Sequence, residues 1–197
     1  MKKNALILLL SLQLTSCAFP SYTFQDQKMQ TGIDFSSGKW LLNGIDSPYK
    51  INDKLTKLAI NDFDKLIRTN LNYAPVTKGL LLPKNIPFNP NLTELKNLKL
   101  GNDFDYFINL KAKVLKDEIG VIDFTVTNSL KESYKNEVEI EIEIYDLNNS
   151  EIIYSKTIKG SVEISKNSQD FYIAKTTDGL ILGAYKKLIR DINKKSI

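Results

Sequence analysis

Glu137-Val138-Glu139-Ile140-Glu141-Ile142-Glu143-Ile144-Tyr145 alternates an acid with an aliphatic residue for four repeats. A β-strand points successive side chains to opposite faces, so this stretch has one apolar face and one carboxylate face. It cannot be a helix, because a 3.6-residue period would scatter the glutamates around the axis. Residues 108–115 alternate in the same way: Ile108, Leu110, Ala112 and Val114 interleave with Asn109, Lys111, Lys113 and Leu115. Residues 121–127 predict a further strand between these two. The turn Asp146-Leu147-Asn148-Asn149-Ser150 leads into another over 151–164. Strands with one wet face suit antiparallel pairing.

Upstream the pattern changes period. Residues 40–45, bounded by glycines and Asp46-Ser47-Pro48, predict a short strand. Asn52 then offers a helix N-cap, and Leu55, Leu58, Ala59, Phe63, Leu66 and Ile67 form one apolar stripe. Residues 77–82 predict another strand, and a loop with Pro83, Pro87 and Pro90 leads to a short helix bearing Leu92, Leu95 and Leu98. The chain closes in a helix with Ala174, Ile181, Ala184, Tyr185, Leu188 and Ile192 on one side. Lysines crowd its carboxyl end, where the helix dipole favours cations. The spacing of Gly179 and Gly183 predicts close approach of this helix to the sheet. The expected fold is therefore α/β (α+β), with order β-α-β-α-β-β-β-β-α. Its sheet is mixed and largely antiparallel, with about three helices packed on one face.

The amino end belongs to a different category. Lys2 and Lys3 precede an apolar run from Ala5 to Leu14, which is too short for a membrane span of about 20 residues and reads as a signal peptide. It ends in Leu14-Thr15-Ser16-Cys17, which resembles the lipobox of bacterial lipoproteins, and Cys17 is the chain's single cysteine. That resemblance implies cleavage after residue 16 and acylation of Cys17. Each buried acyl methylene contributes about 0.8 kcal/mol, so a multiply acylated cysteine holds a protein on a bilayer almost permanently. The division that follows is 1–16 signal peptide, 17–39 lipidated cysteine and flexible tether, and 40–197 one globular domain. Polar residues with Pro20, Gly32 and Gly38 suggest the tether. Ala18 after the cysteine resembles the sorting signal of outer-membrane lipoproteins facing the periplasm.

Leu98-Lys99-Leu100-Gly101, Asp105-Tyr106-Phe107-Ile108 and Tyr145-Asp146-Leu147 at a hairpin together resemble the amino-terminal domain of TolB. The layout is also similar to that of LpoB- and CsgG-type lipoproteins. Such a resemblance implies an accessory subunit of an envelope machine, with a protein partner as well as the lipid bilayer.

Composition narrows the chemistry. There is no histidine, and acylation would consume the one thiol, so Ser-His, Cys-His and histidine-metal sites are excluded. Ser36-Ser37-Gly38-Lys39 and Ser47-Pro48-Tyr49-Lys50 match the S-x-x-K pattern of penicillin-binding proteins, but its companion motifs are missing. Residues 32–39 miss the phosphate-loop spacing, and Trp40 stands where a hydroxyl should bind magnesium. Glu137, Glu139, Glu141 and Glu143 are expected to pair with Lys111, Lys113 and Lys156 across strands on the exposed face, not to bind calcium. The 27 basic residues lose Lys2 and Lys3 with the leader and then nearly balance the 23 acidic ones. Balance and export both argue against nucleic acid. No cofactor is implied. A non-enzymatic binding or assembly module is expected. The alternatives are a structural oligomer subunit and a carboxylate-dependent cell-wall hydrolase.

Overall fold

The computed structural model describes residues 18–29, 32–77, 86–119, 133–165 and 174–197. The expected strand at 121–127, nearly all of the one at 77–82, and Cys17 itself lie outside them.

A six-stranded mixed sheet is built from β1 (Ser21–Met29), β2 (Trp40–Leu42), β3 (Leu71–Tyr73), β4 (Tyr106–Asp117), β5 (Ser133–Asp146) and β6 (Glu151–Ser165). Their order across the sheet is β1-β6-β5-β4-β2-β3. The helices are α1 (Tyr49–Ile67), α2 (Leu92–Asn102) and α3 (Thr177–Lys195). β4, β5, β6 and β1 pair antiparallel, while β2 pairs parallel with both β3 and β4. This is the α/β class read from the sequence.

Register explains the main core. Ile108 lies opposite Ile144, Leu110 opposite Ile142, Ala112 opposite Ile140, and Ile140 in turn opposite Ile158. These residues pack against Ile51, Leu55, Ala59 and Phe63 of α1 and against Leu180, Ala184, Leu188 and Ile192 of α3. The hydroxyl of Tyr185 donates to Asp62 at 3.2 Å, tying the two helices together. Burial, with the nearby Asp62 carboxylate, pushes that phenol far above its ordinary pKa, so it stays a donor.

The expectation that all helices share one face is corrected by α2. Leu95 and Leu98 pack with Leu41, Ile86, Phe104, Phe107, Tyr145 and Leu147, which project from the opposite side of the sheet. Handedness gives the reason. The crossover through α1 steps outward from β2 to β3, and the crossover through α2 steps back past β2 to β4. Right-handed parallel connections that run in opposite directions place their helices on opposite faces.

The expected tether is corrected too. β1 occupies much of it and pairs with β6 from Ser21↔Ser161 to Met29↔Tyr154, with a bulge between Asp26 and Lys28. Beyond it the Ile33 amide donates to Lys195 O at 3.0 Å, and the Ile197 amide donates to Ile33 O at 3.1 Å. Ile33 and Phe35 are buried. An edge strand is held by main-chain bonds and needs few apolar side chains, so Ser-Tyr-Thr-Phe-Gln carries little pattern. At the other edge, β3 and a 3-10 turn at Ala74–Val76 precede the residues expected as a strand.

Local signals also shifted. α1 starts three residues before Asn52, with Pro48 as the N-cap residue. Asn52 instead donates to Ile45 O at 2.8 Å and to Ser47 Oγ at 3.0 Å, bracing the turn before the helix. α2 carries a capping box: Asn91 accepts from the Thr93 and Glu94 amides while Glu94 accepts from the Asn91 amide. Gly183 makes the close approach expected of it, since a Cβ there would lie 1.8 Å from the Tyr22 hydroxyl. Gly179 has only the residues before its own helix nearby.

Two outcomes are expected in chemical denaturation. Ile140→Asp, which places a charge between Ala112 and Ile158, should abolish cooperative folding, whereas Glu141→Gln should cost under about 1 kcal/mol. Gly183→Ala should cost about 1–3 kcal/mol by overpacking, and much less in a Tyr22→Ala background, where the obstructing ring is gone. Equal costs in the two backgrounds would show that Tyr22 is not the obstacle.

Candidate functional site

The four glutamates share one face of β5, as their spacing predicts, but their surroundings differ along the strand. Glu139 and Glu143 are buried, while Glu137 and Glu141 are half-buried. Lys113, opposite Glu139 on β4, bonds Glu139 and reaches Glu141 at 3.2 Å. Lys159 approaches Glu139 at 3.6 Å, and Lys135 meets Glu137 at 3.0 Å. Burial opposes the Glu139 charge, but hydrogen bonds from Glu141 and Lys113 hold its carboxyl below the usual range. The same two carboxylates raise the Lys113 ammonium. Glu141 moves the other way, raised by burial and by its hydrogen bond to Glu139.

Two of the expected lysine partners lie elsewhere. Lys111 pairs with Asp46 at 3.4 Å. Lys156 stands opposite Ile142, on the helix-covered face, and is only 5% exposed. It meets Asp191 of α3 at 2.8 Å, where Lys195 at 2.9 Å and the Tyr154 hydroxyl at 2.9 Å also converge. Burial works against the Asp191 charge, and the bonds from Lys156, Lys195 and Tyr154 prevail and depress its pKa. Lys156 breaks the apolar alternation of its strand, and that mismatch was the one sequence sign of a buried ion cluster.

Glu143 closes a second polar knot beneath α2. Its carboxylate accepts from the Tyr145 hydroxyl at 2.6 Å and from the Asn89 amide at 3.2 Å. Beside it Asn109 accepts from Asn43 at 2.9 Å and donates to Pro87 O at 2.9 Å. The knot pins the loop before α2 to the sheet. Burial raises the Glu143 carboxyl, and burial together with Glu143 raises the Tyr145 phenol.

The serine-lysine candidates are not brought together. The Ser36 hydroxyl donates to Asp34 at 2.6 Å, while Lys39 pairs with Asp103 at 2.6 Å. Ser47 accepts from Asn52, and Lys50 lies 3.5 Å from Asp178. Each lysine is held by a carboxylate in place of its serine, so neither serine has its lysine; Ser36 rests on Asp34, whose carboxyl those hydrogen bonds hold below the usual range, which makes it a weak base. Trp40, at the end of the glycine-bearing segment, is fully buried and stacks on Tyr106 with centroids 4.3 Å apart. Gly38, at φ +77°, lies against that tyrosine, where a Cβ would meet its ring at 2.7 Å. The segment packs around aromatics and leaves no phosphate cradle.

An open recess of about 180 Å³ lies at the end of the sheet where β4 begins and β5 ends, lined by Gly32, Ile33, Asp34, Tyr106, Asp146 and Ile153. Its carboxylates are engaged: Asp34 accepts from the Ser36 amide and hydroxyl, and Asp146 from the Asn148 and Asn149 amides. Burial, with the neighbouring carboxylates, raises the Tyr106 phenol. The recess offers acceptors and an aromatic face, and the Ser36 hydroxyl at Asp34 is held by the same carboxylate that accepts from its own amide. Among the described residues no group of three or more His, Cys, Asp or Glu could hold a metal, and no helix is long and apolar enough to cross a membrane.

No protein-family model matches the sequence, and comparison with curated proteins gives no match. Among solved structures, the chain is similar to the PelC dodecamer subunit of Paraburkholderia phytofirmans. Identity there is 10%, with 89% of this chain and 98% of that one covered, at a TM-score of 0.47. It is similar to lipoprotein GNA1162 of Neisseria meningitidis at 11% identity, over 80% and 99% of the two chains, TM-score 0.40. A putative neuraminyllactose-binding hemagglutinin homolog of Helicobacter pylori gives 12% identity, 86% and 88% coverage, and TM-score 0.40.

The half-buried Asp191 and the buried Glu143 should titrate stability in opposite senses. Asp191 has a depressed pKa, so its contribution is present above the unfolded value near 3.8 and is lost as pH falls through the folded one. Asp191→Asn should therefore destabilise at pH 7 by on the order of 2–3 kcal/mol and lose this penalty in acid. Glu143 has a raised pKa, so its favourable contribution is full below the unfolded value near 4.5 and is lost as pH rises through the folded one. Relative to the parent, Glu143→Gln should gain stability between pH 4 and 7. Urea titrations at several pH values check both signs.

Proposed function

We propose that this chain is a bacterial lipoprotein, cleaved after residue 16, acylated at Cys17 and held on the outer membrane facing the periplasm. There it acts as a non-enzymatic binding or assembly module. The observation that carries the reading is Leu14-Thr15-Ser16-Cys17 directly after a leader-length apolar run, with the chain's single cysteine at the processed position. The structure adds support from the next residue onward. Ala18 packs against the core and β1 begins at Ser21, so a chain that begins at Cys17 keeps both.

Binding, not turnover, is supported by how the charged groups are spent. The S-x-x-K lysines neutralise Asp103 and Asp178, and the buried carboxylates are tied to lysines, a tyrosine and backbone amides. A carboxylate-dependent hydrolase needs two acids facing each other across a cleft. Glu139 and Glu141 instead stand side by side on one strand and share Lys113. The resemblance to the TolB amino-terminal domain and to LpoB- and CsgG-type lipoproteins fits a module that engages an envelope protein.

Cys17→Ser decides the anchor. The variant should fold with an unchanged melting temperature, fail to incorporate a labelled fatty acid, and move from the membrane to the soluble fraction. Retention on membranes in high salt would place the attachment elsewhere. For the non-enzyme reading, fluorophosphonate and β-lactam probes should leave Ser36 and Ser47 unmodified by mass spectrometry.

A further inference from the structure

The register of the sheet fixes where the amino end is held. Ser21 lies opposite Ser161, and Ser161 opposite Glu137, so the first residue of β1 heads a row that continues across the sheet. The Ser21 and Ser161 hydroxyls are 2.8 Å apart. Tyr22 follows and enters a slot between two elements: a Cβ at Gly160 of β6 would lie 3.0 Å from its ring, and one at Gly183 of α3 would overlap its hydroxyl. The Lys175 ammonium reaches that hydroxyl at 3.5 Å. Ahead of the strand, Ala18 packs against the core.

Lipid attachment and cleavage act on the residues just before this docked segment. In the first, a lipid group from the membrane replaces the proton on the Cys17 sulfur; in the second, water splits the Ser16–Cys17 peptide into a carboxyl and an amine. Each needs an enzyme closed around the reacting residue, and a groove takes up extended chain with its own backbone about 4.8 Å away. Consecutive Cα atoms are about 3.8 Å apart, so Cys17 stands one short step from a residue the fold already holds. That step leaves no room for the wall of a groove. The next fixed point along the chain is Ile33, tied by main-chain bonds to Lys195 and Ile197. With β1 released, the stretch from Cys17 to Gly32 reaches roughly 50 Å at about 3.3 Å per residue, ample for a groove. Among the described residues β1 is the edge strand, so its release breaks sheet pairing with β6 alone. The finished anchor has no enzyme around it, and β1 then docks without obstruction.

We propose that β1 is a latch on maturation: Cys17 is lipidated and the chain cleaved only while β1 is off β6, and docking of Tyr22 into the Gly160–Gly183 slot follows. The proposal rests on the reading of Cys17 as the processed residue. It makes the opening of β1 the step that sets how fast an already folded precursor matures, because an element must open locally before its backbone can be attacked.

The full-length precursor carrying Ser21→Cys and Ser161→Cys tests the latch. Its two sulfurs replace hydroxyls already in contact, so a disulfide between them staples β1 to β6. Folded precursor, with the 21–161 disulfide and a free Cys17 thiol verified by peptide mapping, is incubated with bacterial inner-membrane vesicles that lipidate and cleave lipoprotein precursors, and the product is followed by mass. The stapled form should mature at least tenfold more slowly than the same protein after reduction, while the parent treated with the same oxidant should match the reduced form. Tyr22→Ala, which empties the slot, should mature several-fold faster than the parent. Equal rates with and without the staple would overturn the latch, as would an unchanged rate in Tyr22→Ala. If precursor unfolded in urea and diluted into the same vesicles gains neither lipid mass nor a new amino end at Cys17, the reading of Cys17 falls and the latch with it.

Discussion

Val138, Ile140, Ile142 and Ile144 stand on one side of β5 and are fully buried between the sheet and the two helices α1 and α3. Burying a side chain of this size contributes about 1.5–3 kcal/mol, so four together match the net stability of an ordinary domain. A slip of one residue in register would exchange this row for four carboxylates, which makes the pairing of β4 and β6 with β5 close to all-or-none. Everything placed by that register depends on it: the position of β1, the meeting of Lys113 with Glu139, and the row that carries the amino end.

Charge is handled differently on the two faces. On the glutamate side Glu137 and Glu141 keep partial access to water and their lysine pairs are worth little alone, while the buried Glu139 is held between Lys113 and Lys159 from the two flanking strands. On the helix side Lys156 enters a place its neighbours give to aliphatics, and it is tolerated because Asp191, Lys195 and Tyr154 satisfy one another around it. Such a cluster is costly to break and adds little stability over an apolar replacement. It specifies where α3 docks along β6, since no other register of the helix would bring Asp191 to Lys156.

The amino-terminal segment joins the fold to its proposed location. Residues that look like linker are built into the sheet edge and then pair with the carboxyl end through Ile33. Ala18 packs against the core, which leaves one peptide between the fold and the proposed acylation site at Cys17.

The alternation over residues 137–145, the stripe of α1 and the apolar face of α3 could be read directly, because each is a local period imposed by burial on one side. The lipobox resemblance of Leu14-Thr15-Ser16-Cys17 is a local pattern that needs no fold, and it lies outside the described residues. Tertiary structure decided the rest. The opposite placement of α2 follows from the direction of two crossovers, which no single segment encodes. β1 is held by main-chain hydrogen bonds to β6, and main-chain pairing leaves almost no trace in side-chain pattern. Asn52 looked like a cap because its type suits one, yet a bond to Ile45 O claimed it. The glutamates were correctly assigned to one face, but Glu143 and Glu139 became buried only when α2, its loop and the neighbouring lysines closed over them, and Lys156 found its partner 35 residues away on a helix. Periodicity fixes which way a side chain points; only packing decides what it meets there.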